Sequence, residues 1–149
     1  GVLIDSILDK AGMKGTGTWT GQAALTYGEP IPTILAALHG RALSSLSEER
    51  KLAQKVYEKG VKKIAGDPKK WTDMIGAAMY ASKICYYAQG FAQLRIASVE
   101  IGYNLNLANI ASIWRGGCFI RAGFLEKIRN DFDRQPDLPN LLVDEAFVG

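Results

Sequence analysis

The stretch GMKGTGTWTG, at residues 12–21, contains the residue types that proteins use to bind phosphate. Lys14 supplies a positive charge, Thr16 supplies a hydroxyl, and the interleaved glycines leave backbone N–H groups accessible. We expect a helix directly after this loop, and the dipole at a helix N-terminus favours anions. Arg41 can add a planar, bidentate guanidinium. The residues thus predict a phosphate site, with a solvated flexible joint and an unrelated surface arginine as the open alternatives.

Other kinds of chemistry have little support in the sequence. His39 is the single histidine, and a lone histidine in a helix is usually structural. Gly15 and Gly17 form a G-x-G that lacks the third glycine and the preceding strand of a dinucleotide fold. Cys85 and Cys118 stand apart in apolar segments, so we expect two buried, reduced thiols and no metal site. We therefore expect no catalytic, cofactor-binding or metal-binding residue in these positions.

Composition and charge are those of an ordinary globular domain. The chain has 149 residues, of which 48% are hydrophobic and 22% charged, and its formal net charge is +3. No basic run is interleaved with aromatic residues, so a nucleic-acid partner is not expected. Residues 74–94 are apolar but contain Lys83, Gln89 and Gln93, which argues against a membrane span. No signal peptide opens the chain, and we expect a cytoplasmic protein.

Helices must position the loop and Arg41, because apolar residues follow helical spacing and no segment alternates like a strand. The longest helix is expected at about 68–101, with Asp67 as its cap, Pro68 at its first position and Gly102 at its end. Only three charged residues lie between positions 74 and 101: Lys83, Arg95 and Glu100. A helix this apolar must be enclosed by others. The prediction is an all-α, multi-helix domain built around one long buried central helix.

Shorter helices are expected on both sides of this element. Their expected caps are Thr18, Ser47, Asn106 and Asp137, and Gly28 is expected to end the second one. Both Pro30 and Pro32 are expected in the first turn of the third. The expected ranges are 2–12, 18–28, 29–46, 47–60, 105–116, 118–132 and 138–147.

A second unusual stretch is WRGGCFIRAGF, at residues 114–124. Trp114 beside two glycines predicts a tight corner between helices. Arg115 and Arg121 can bind anions, or they can pair with acids and backbone carbonyls, which is the commoner role of arginine in apolar surroundings.

Taken together, these stretches resemble the helical C-terminal domain of the 6-phosphogluconate dehydrogenases, the decarboxylating enzymes of the pentose phosphate pathway. The segment KGTGTWT, at 14–20, is similar to the family's Lys-Gly-Thr-Gly-Lys-Trp-Thr. Further similar stretches follow in family order: GRALSSLSEER (40–50), YASKICYYAQGF (80–91), IWRGGCFIRAGFLEKI (113–128) and DLPNLL (137–142). Two departures are Thr18, where many relatives have lysine, and LHGR at 38–41, where Phe-Ala-Arg is commoner.

The resemblance implies roles for the three candidate residues. The positions that match Lys14, Thr16 and Arg41 contact the phosphate of 6-phosphogluconate in this family. It also implies an NADP-dependent oxidation of the C3 hydroxyl, loss of carbon dioxide and protonation to ribulose 5-phosphate, without a metal. A homodimer formed through this domain is implied as well.

By the same resemblance, residues 1–149 are expected to be part of the helical C-terminal substrate-binding and dimerisation domain. The N-terminal NADP-binding domain, the lysine base, the glutamate acid and the C-terminal tail are expected to lie outside them. We therefore expect the isolated segment to be inactive and to contribute phosphate binding and the dimer core. A free-standing helical dimerisation or interaction module is the alternative.

Overall fold

The computed structural model describes residues 2–57 and 65–147, and these residues form helices, turns and loops without any strand. Within this described part there are six α-helices: α1 Thr16–Tyr27, α2 Pro32–Ser45, α3 Ser47–Tyr57, α4 Pro68–Ile101, α5 Leu107–Ile113 and α6 Leu125–Arg134. Short 3₁₀ helices cover Leu3–Ser6, Leu141–Val143 and Glu145–Phe147. The all-α prediction is confirmed.

The hydrophobic core lies where the second half of α4 meets α5, α6 and the Leu141–Val143 turn. Phe91 of α4 is 1% exposed and packs against Trp114 and Phe132, with ring centroids 5.1 and 5.2 Å away. Leu125 and Ile128 of α6 are fully buried beside them. These contacts fix α4 against the C-terminal half of the chain and leave its other side to α1 and α2.

The predicted ends of α4 are confirmed. The Asp67 carboxylate accepts a hydrogen bond from the backbone N–H of Lys69 at 2.9 Å, and Pro68 occupies the first helical position. Gly102 has φ +76° and donates its N–H to the carbonyl of Ser98, as a glycine C-cap does. The sequence signals at both ends of this helix are therefore the ones that the structure uses.

The expected enclosure of α4 along its whole length is wrong for the single chain. The buried residues of α4 lie between 87 and 93, whereas residues 68–82 are exposed, including Met79 at 68%. The reason is length: 34 residues extend about 51 Å, but α1 and α2, with 12 and 14 residues, reach only about 18–21 Å. The helices formed by residues 2–57 and 65–147 therefore cover only one half of α4.

The predicted helix over 2–12 is also wrong. Only the 3₁₀ helix Leu3–Ser6 forms there, and its apolar side chains are exposed, with Leu3 at 78% and Leu8 at 79%. Helical spacing alone does not stabilise so short a segment without a surface to pack against. Instead, the end of this segment runs along α2 and α3, where the N–H of Ala11 donates to Ser44 Oγ.

At the start of α1 and α2, some expected boundaries differ from the observed ones. Helix α1 begins at Thr16, and its N-cap is Gly15, so the prediction of Thr18 as cap is wrong. Gly15 adopts φ +102°, a conformation that favours glycine, and the chain therefore enters the helix three residues before the predicted cap. The predicted end at Gly28 is confirmed, with φ +67°. Helix α2 begins at Pro32, so Pro30 lies outside its first turn.

Differences continue towards the C-terminus. Asn106 caps α5 as predicted, since its side chain accepts from Asn109 N at 2.8 Å. Residues 118–124 are turns rather than helix, and α6 begins only at Leu125. The predicted helix capped by Asp137 is replaced by two 3₁₀ turns, because Pro139 disfavours helical geometry at the preceding residue, Leu138.

The remaining predictions concern α3, the thiols and the membrane. Helix α3 begins at Ser47 itself rather than after it, and its predicted end at 58–60 lies outside the described residues. Cys85 and Cys118 are free, but they are half-buried rather than fully buried. None of the helices in the described part of the chain combines the length and hydropathy that crossing a bilayer requires.

Candidate functional site

Helices α1 and α2 approach each other closely because glycines on α1 face leucines on α2. A Cβ built on Gly21 would lie 3.1 Å from Leu35 Cδ2, and Gly17 meets Leu38 in the same way. Since glycine has no side chain, the backbones of the two helices can lie closer together than larger residues would allow. This packing places the N-terminus of α1 beside the C-terminal half of α2, where Arg41 is located.

A cavity of about 310 Å³ opens at this junction. Its walls come from the loop before α1, the first turn of α1 and one face of α2. The lining residues are Met13, Lys14, Thr16, Gly17, Leu38 and Arg41. The structure thus brings all three sequence-predicted site residues, Lys14, Thr16 and Arg41, to one cavity.

The floor of the cavity is a helix N-terminus. The ladder of α1 starts with Trp19 N donating to Gly15 O at 3.1 Å, so the N–H groups of the residues between them have no intrahelical partner. Gly15 provides no side-chain cap. Orphan N–H groups with the positive end of the helix dipole suit an anion such as phosphate.

Arg41 is oriented by the loop that it faces. Its Nε donates to the carbonyl of Gly12 at 3.0 Å, and its Nη2 donates to the same oxygen. A guanidinium has five N–H groups, so three of them are still available. Within the part of the chain that the structure describes, the contacts of Arg41 are with this carbonyl rather than with an acid, which leaves its charge uncompensated.

Contacts outside the cavity hold residues 9–11, which precede Lys14, in place. Ser44 Oγ accepts from Ala11 N at 3.1 Å, and Arg50 pairs with the carboxylate of Asp9 at 2.8 Å. Arg50 Nη2 also donates to the carbonyl of Asp9. These residues fix the chain just before Lys14 against α2 and α3, and the sequence contained no signal that would have identified them.

Two glutamines on α4 hold α1 and α2. Gln89 Oε1 accepts from the N–H groups of Thr33 and Ile34 at 3.0 and 3.3 Å, while its Nε2 donates to Thr33 Oγ1 at 2.9 Å. Gln93 Nε2 donates to the carbonyl of Thr20 at 2.8 Å. In the sequence, both glutamines indicated only that α4 does not span a membrane. Two amides on one side of an apolar helix were the signal that this side makes polar contacts with neighbouring elements.

A larger cavity, of about 450 Å³, lies between α1, α4 and the end of α5. Its walls are mostly aromatic and aliphatic, with Trp19, Tyr27 and Trp114 among them, and none of the residues that line it is charged. This surface does not suit a phosphate. Of these two cavities, the one lined by Lys14 and Arg41 is the one with cationic groups.

The second unusual stretch has a structural role at Arg115. Its guanidinium donates to the Glu126 carboxylate, which also accepts from Arg129 at 2.6 Å. Of the two roles left open by the sequence, ion pairing is the one observed. Cys118 Sγ lies 3.2 Å from the carbonyl of Trp114 and donates to it, which closes the turn.

Two buried groups, one on α4 and one on α6, have raised pKa values. Burial, followed by the nearby Tyr86 and Cys118, raises the pKa of Tyr87 to about 12. Burial and the neighbouring Asp144 raise the pKa of Asp131, although Arg134 opposes the shift. In the described residues, no group of three or more His, Cys, Asp or Glu side chains is placed to hold a metal ion. The cavity thus has binding groups but no acid–base pair.

Comparison with known proteins gives the family. The whole chain, residues 1–149, matches the family described as 6-phosphogluconate dehydrogenase, C-terminal domain. It is 52% identical over 147 residues to the decarboxylating 6-phosphogluconate dehydrogenase of Synechocystis, covering 99% of this chain and 30% of that protein. It is 47% identical to the NADP(+)-dependent, decarboxylating enzyme of Bacillus subtilis, covering 97% of this chain and 31% of that protein.

A solved structure agrees in fold. The chain superposes on Plasmodium falciparum 6-phosphogluconate dehydrogenase with a TM-score of 0.84 at 40% identity, over 98% of this chain and 32% of that one. That enzyme is described in its apo form, in complex with its cofactor NADP+ and in complex with its substrate 6-phosphogluconate. The chain spans about a third of the length of these relatives. It belongs to the 6-phosphogluconate dehydrogenase C-terminal domain family.

Proposed function

We propose that this chain is the substrate-phosphate-binding and dimer-core segment of an NADP-dependent, decarboxylating 6-phosphogluconate dehydrogenase. The observation that carries the proposal is the single cavity lined by Lys14, Thr16 and Arg41 at the N-terminus of α1. The names of the relatives supply the substrate, because the Plasmodium enzyme is described in complex with 6-phosphogluconate.

The cavity offers the donors that a phosphate dianion needs. Lys14 provides a point charge, Thr16 provides a hydroxyl and a first-turn N–H, and Arg41 provides the N–H groups that Gly12 does not use. Charge-assisted hydrogen bonds of this kind contribute about 1.5–3 kcal/mol each. Three different donors suit a group whose acceptor oxygens point in several directions.

The reaction itself is assigned to other parts of the enzyme. In the proposed activity, the C3 carbon of 6-phosphogluconate gives a hydride to NADP+ while its hydroxyl proton passes to the lysine base expected outside this chain. The resulting β-keto acid loses carbon dioxide, and the enediol is protonated to ribulose 5-phosphate. The described residues do not fit a dinucleotide, since the G-x-G of Gly15 and Gly17 follows a loop rather than a strand. This chain's part is to hold the phosphate end of the substrate and so position the reacting carbons.

A homodimer is the second part of the proposal. The exposed half of α4 presents large apolar side chains, among them Trp71, Met74, Ile75, Met79 and Tyr80. A contiguous apolar surface of this kind favours a protein–protein contact. Sedimentation at tens of micromolar is expected to show self-association of the chain, and a strictly monomeric, non-aggregating species would contradict a dimer core here.

We place the enzyme in the cytoplasm, which cell fractionation can check.

A free-standing dimerisation module is the alternative that the sequence left open. The match over the whole chain to decarboxylating dehydrogenases favours the enzyme instead. A complete open reading frame that encodes a strand–GxGxxG–helix unit upstream of Gly1 would support this choice.

The experiment is substitution of the cavity residues in the complete enzyme. Lys14→Ala and Arg41→Ala are each expected to raise KM for 6-phosphogluconate by about tenfold to a hundredfold, because each removes a charge-assisted bond. The turnover number should fall less, since the phosphate is remote from the reacting carbons. His39→Ala, an exposed neighbour on α2 that does not line the cavity, is the control. Unchanged KM in both cavity variants would overturn the proposal.

A further inference from the structure

Helix α4 carries two glutamines, Gln89 and Gln93, on one face in its most buried stretch. Residues four apart lie one turn above each other on a helix, so both amides lie on the same side of α4. Gln93 is only 9% exposed, and Gln89 is half-buried. A buried amide is unfavourable unless its hydrogen bonds are made, so these side chains are tied to what they contact.

Gln89 caps helix α2 from outside. Helix α2 begins with Pro32, which has no N–H, and its N-cap residue, Ile31, has no side chain that can accept a hydrogen bond. The first N–H groups in need of a partner belong to Thr33 and Ile34, and Gln89 Oε1 accepts from both. The amide of Gln89 thus does for α2 what an N-cap side chain usually does.

Gln93 holds helix α1 as a hydrogen-bond donor, whereas Gln89 holds α2 mainly as an acceptor. Its Nε2 donates to the carbonyl of Thr20, which lies one turn after Thr16. Two different helices are therefore attached to one rigid element, four residues apart. Helix α1 positions Thr16 and helix α2 positions Arg41, so the distance between these two cavity residues depends on both attachments.

We propose that Gln89 and Gln93 are positioning residues of the phosphate site, which set the relative placement of α1 and α2 so that Lys14, Thr16 and Arg41 face one anion. This inference rests on the proposed function. Neither glutamine lines the Lys14 cavity, so each acts through the helix that it holds. Loss of either contact lets one wall of the cavity shift against the other.

The chemistry of the two contacts predicts a specific difference between them. Gln89 makes its main contacts as an acceptor, so Gln89→Glu keeps the cap, and the Thr33 hydroxyl can turn to donate to the new carboxylate. A negative charge at the N-terminus of α2 is also favourable. Gln93 contacts Thr20 as a donor, so Gln93→Glu removes the bond and places a carboxylate against a carbonyl oxygen.

The test uses the complete enzyme and measures KM and kcat for 6-phosphogluconate. Gln89→Leu and Gln93→Leu are expected to raise KM by about threefold to thirtyfold, with a smaller change in kcat. Gln89→Glu should keep KM within about twofold of the parent, whereas Gln93→Glu should raise it as much as Gln93→Leu does. The matched control is Ser98→Ala on the same helix, which loses a 2.8 Å bond from Leu105 N and should leave KM unchanged.

The outcomes separate this inference from the proposed function. If Lys14→Ala and Arg41→Ala raise KM while both leucine variants leave it unchanged, the positioning role is wrong and the phosphate site stands. If the cavity variants themselves have no effect, the proposed function is wrong. Should the leucine variants fail to fold, the two glutamate variants decide, and equal KM values for Gln89→Glu and Gln93→Glu would overturn the inference.

Discussion

Gly17 of α1 and Leu38 of α2 are in such close contact that a Cβ built on Gly17 would lie 2.3 Å from Leu38 Cδ2. Real Cβ atoms do not approach another atom this closely, so the absence of a side chain at position 17 is a condition of the observed packing. Both residues also line the cavity of Lys14 and Arg41. The geometry of the candidate site therefore depends on a glycine inside a helix, where glycine is otherwise unfavourable.

Replacing this glycine is expected to lower stability. Gly17→Ala forces the Leu38 side chain to move, and the overpacking cost of about 1–3 kcal/mol outweighs the roughly 0.5–1 kcal/mol gained in helix propensity. The free energy of unfolding, measured by urea denaturation, should therefore fall by up to about 2 kcal/mol. Gly40→Ala is the control, because a Cβ there meets nothing within 4 Å and α2 gains helix propensity. That variant should be more stable than the parent by about 0.5–1 kcal/mol. Equal effects of the two substitutions would contradict the packing described here.

The guanidinium of Arg41 is expected to be only partly replaceable by an amine. In the complete enzyme, Arg41→Lys keeps the charge but loses the fork that contacts Gly12 through Nε and Nη2. Its KM for 6-phosphogluconate should lie between those of the parent and Arg41→Ala. A KM equal to that of the parent would show that charge alone matters at this position.

The isolated 149-residue chain is expected to be inactive with 6-phosphogluconate and NADP. The described residues offer neither a dinucleotide-binding turn nor an acid–base pair at the cavity, so hydride and proton transfer have no catalytic groups here. The measurement is NADPH formation by purified chain from a host that lacks its own enzyme. Turnover above background would mean that catalytic groups exist in these residues after all.

The pH dependence of stability is expected to include an unusual contribution from Asp131. Burial and Asp144 raise the pKa of Asp131 above its ordinary value of 3.8 in the folded state. Between pH 3.8 and this raised pKa, the folded chain binds more protons than the unfolded chain. Stability contributed by Asp131 is therefore present at low pH and is lost as the pH rises through the folded pKa.

Two variants check this sign by urea unfolding between pH 4 and pH 7. At pH 7, Asp131→Asn should not lower the free energy of unfolding. As the pH falls, the free energy of unfolding of this variant should decrease relative to that of the parent. Asp144→Asn should be destabilising, because it removes the buried carboxylate that accepts a hydrogen bond from Arg134. A loss of stability in Asp131→Asn that appears only at pH 7 would contradict the assignment.

Much of the helical architecture could be predicted from local chemistry. Asp67, Gly28, Gly102 and Asn106 act where their residue types act in any helix, through a side-chain cap or a positive φ. The failures have a common cause. Helical spacing over 2–12 says which residues would share a face, but it does not say whether anything packs against that face, and Leu3 is exposed.

For the candidate site, the binding residues could be predicted from the sequence, but the contacts that hold them in place could not. Lys14, Thr16 and Arg41 were identified by residue type and by resemblance, and they line one cavity. What holds them together was beyond the sequence, because the contact of Gln89 with Thr33 joins residues that are 56 positions apart. Periodicity and capping signals act over one or two turns, so a bond of this range becomes visible only when the helices are placed.

The bond from Arg41 to the carbonyl of Gly12 has a consequence for conformational entropy. A free arginine side chain samples many rotamers, and fixing it on a ligand loses up to about 2 kcal/mol. Because Gly12 already restrains this guanidinium, much of that loss falls on the folding of the domain rather than on the arrival of an anion. The loop that precedes α1 thus contributes to affinity through a carbonyl oxygen, a group that an anion itself would never contact.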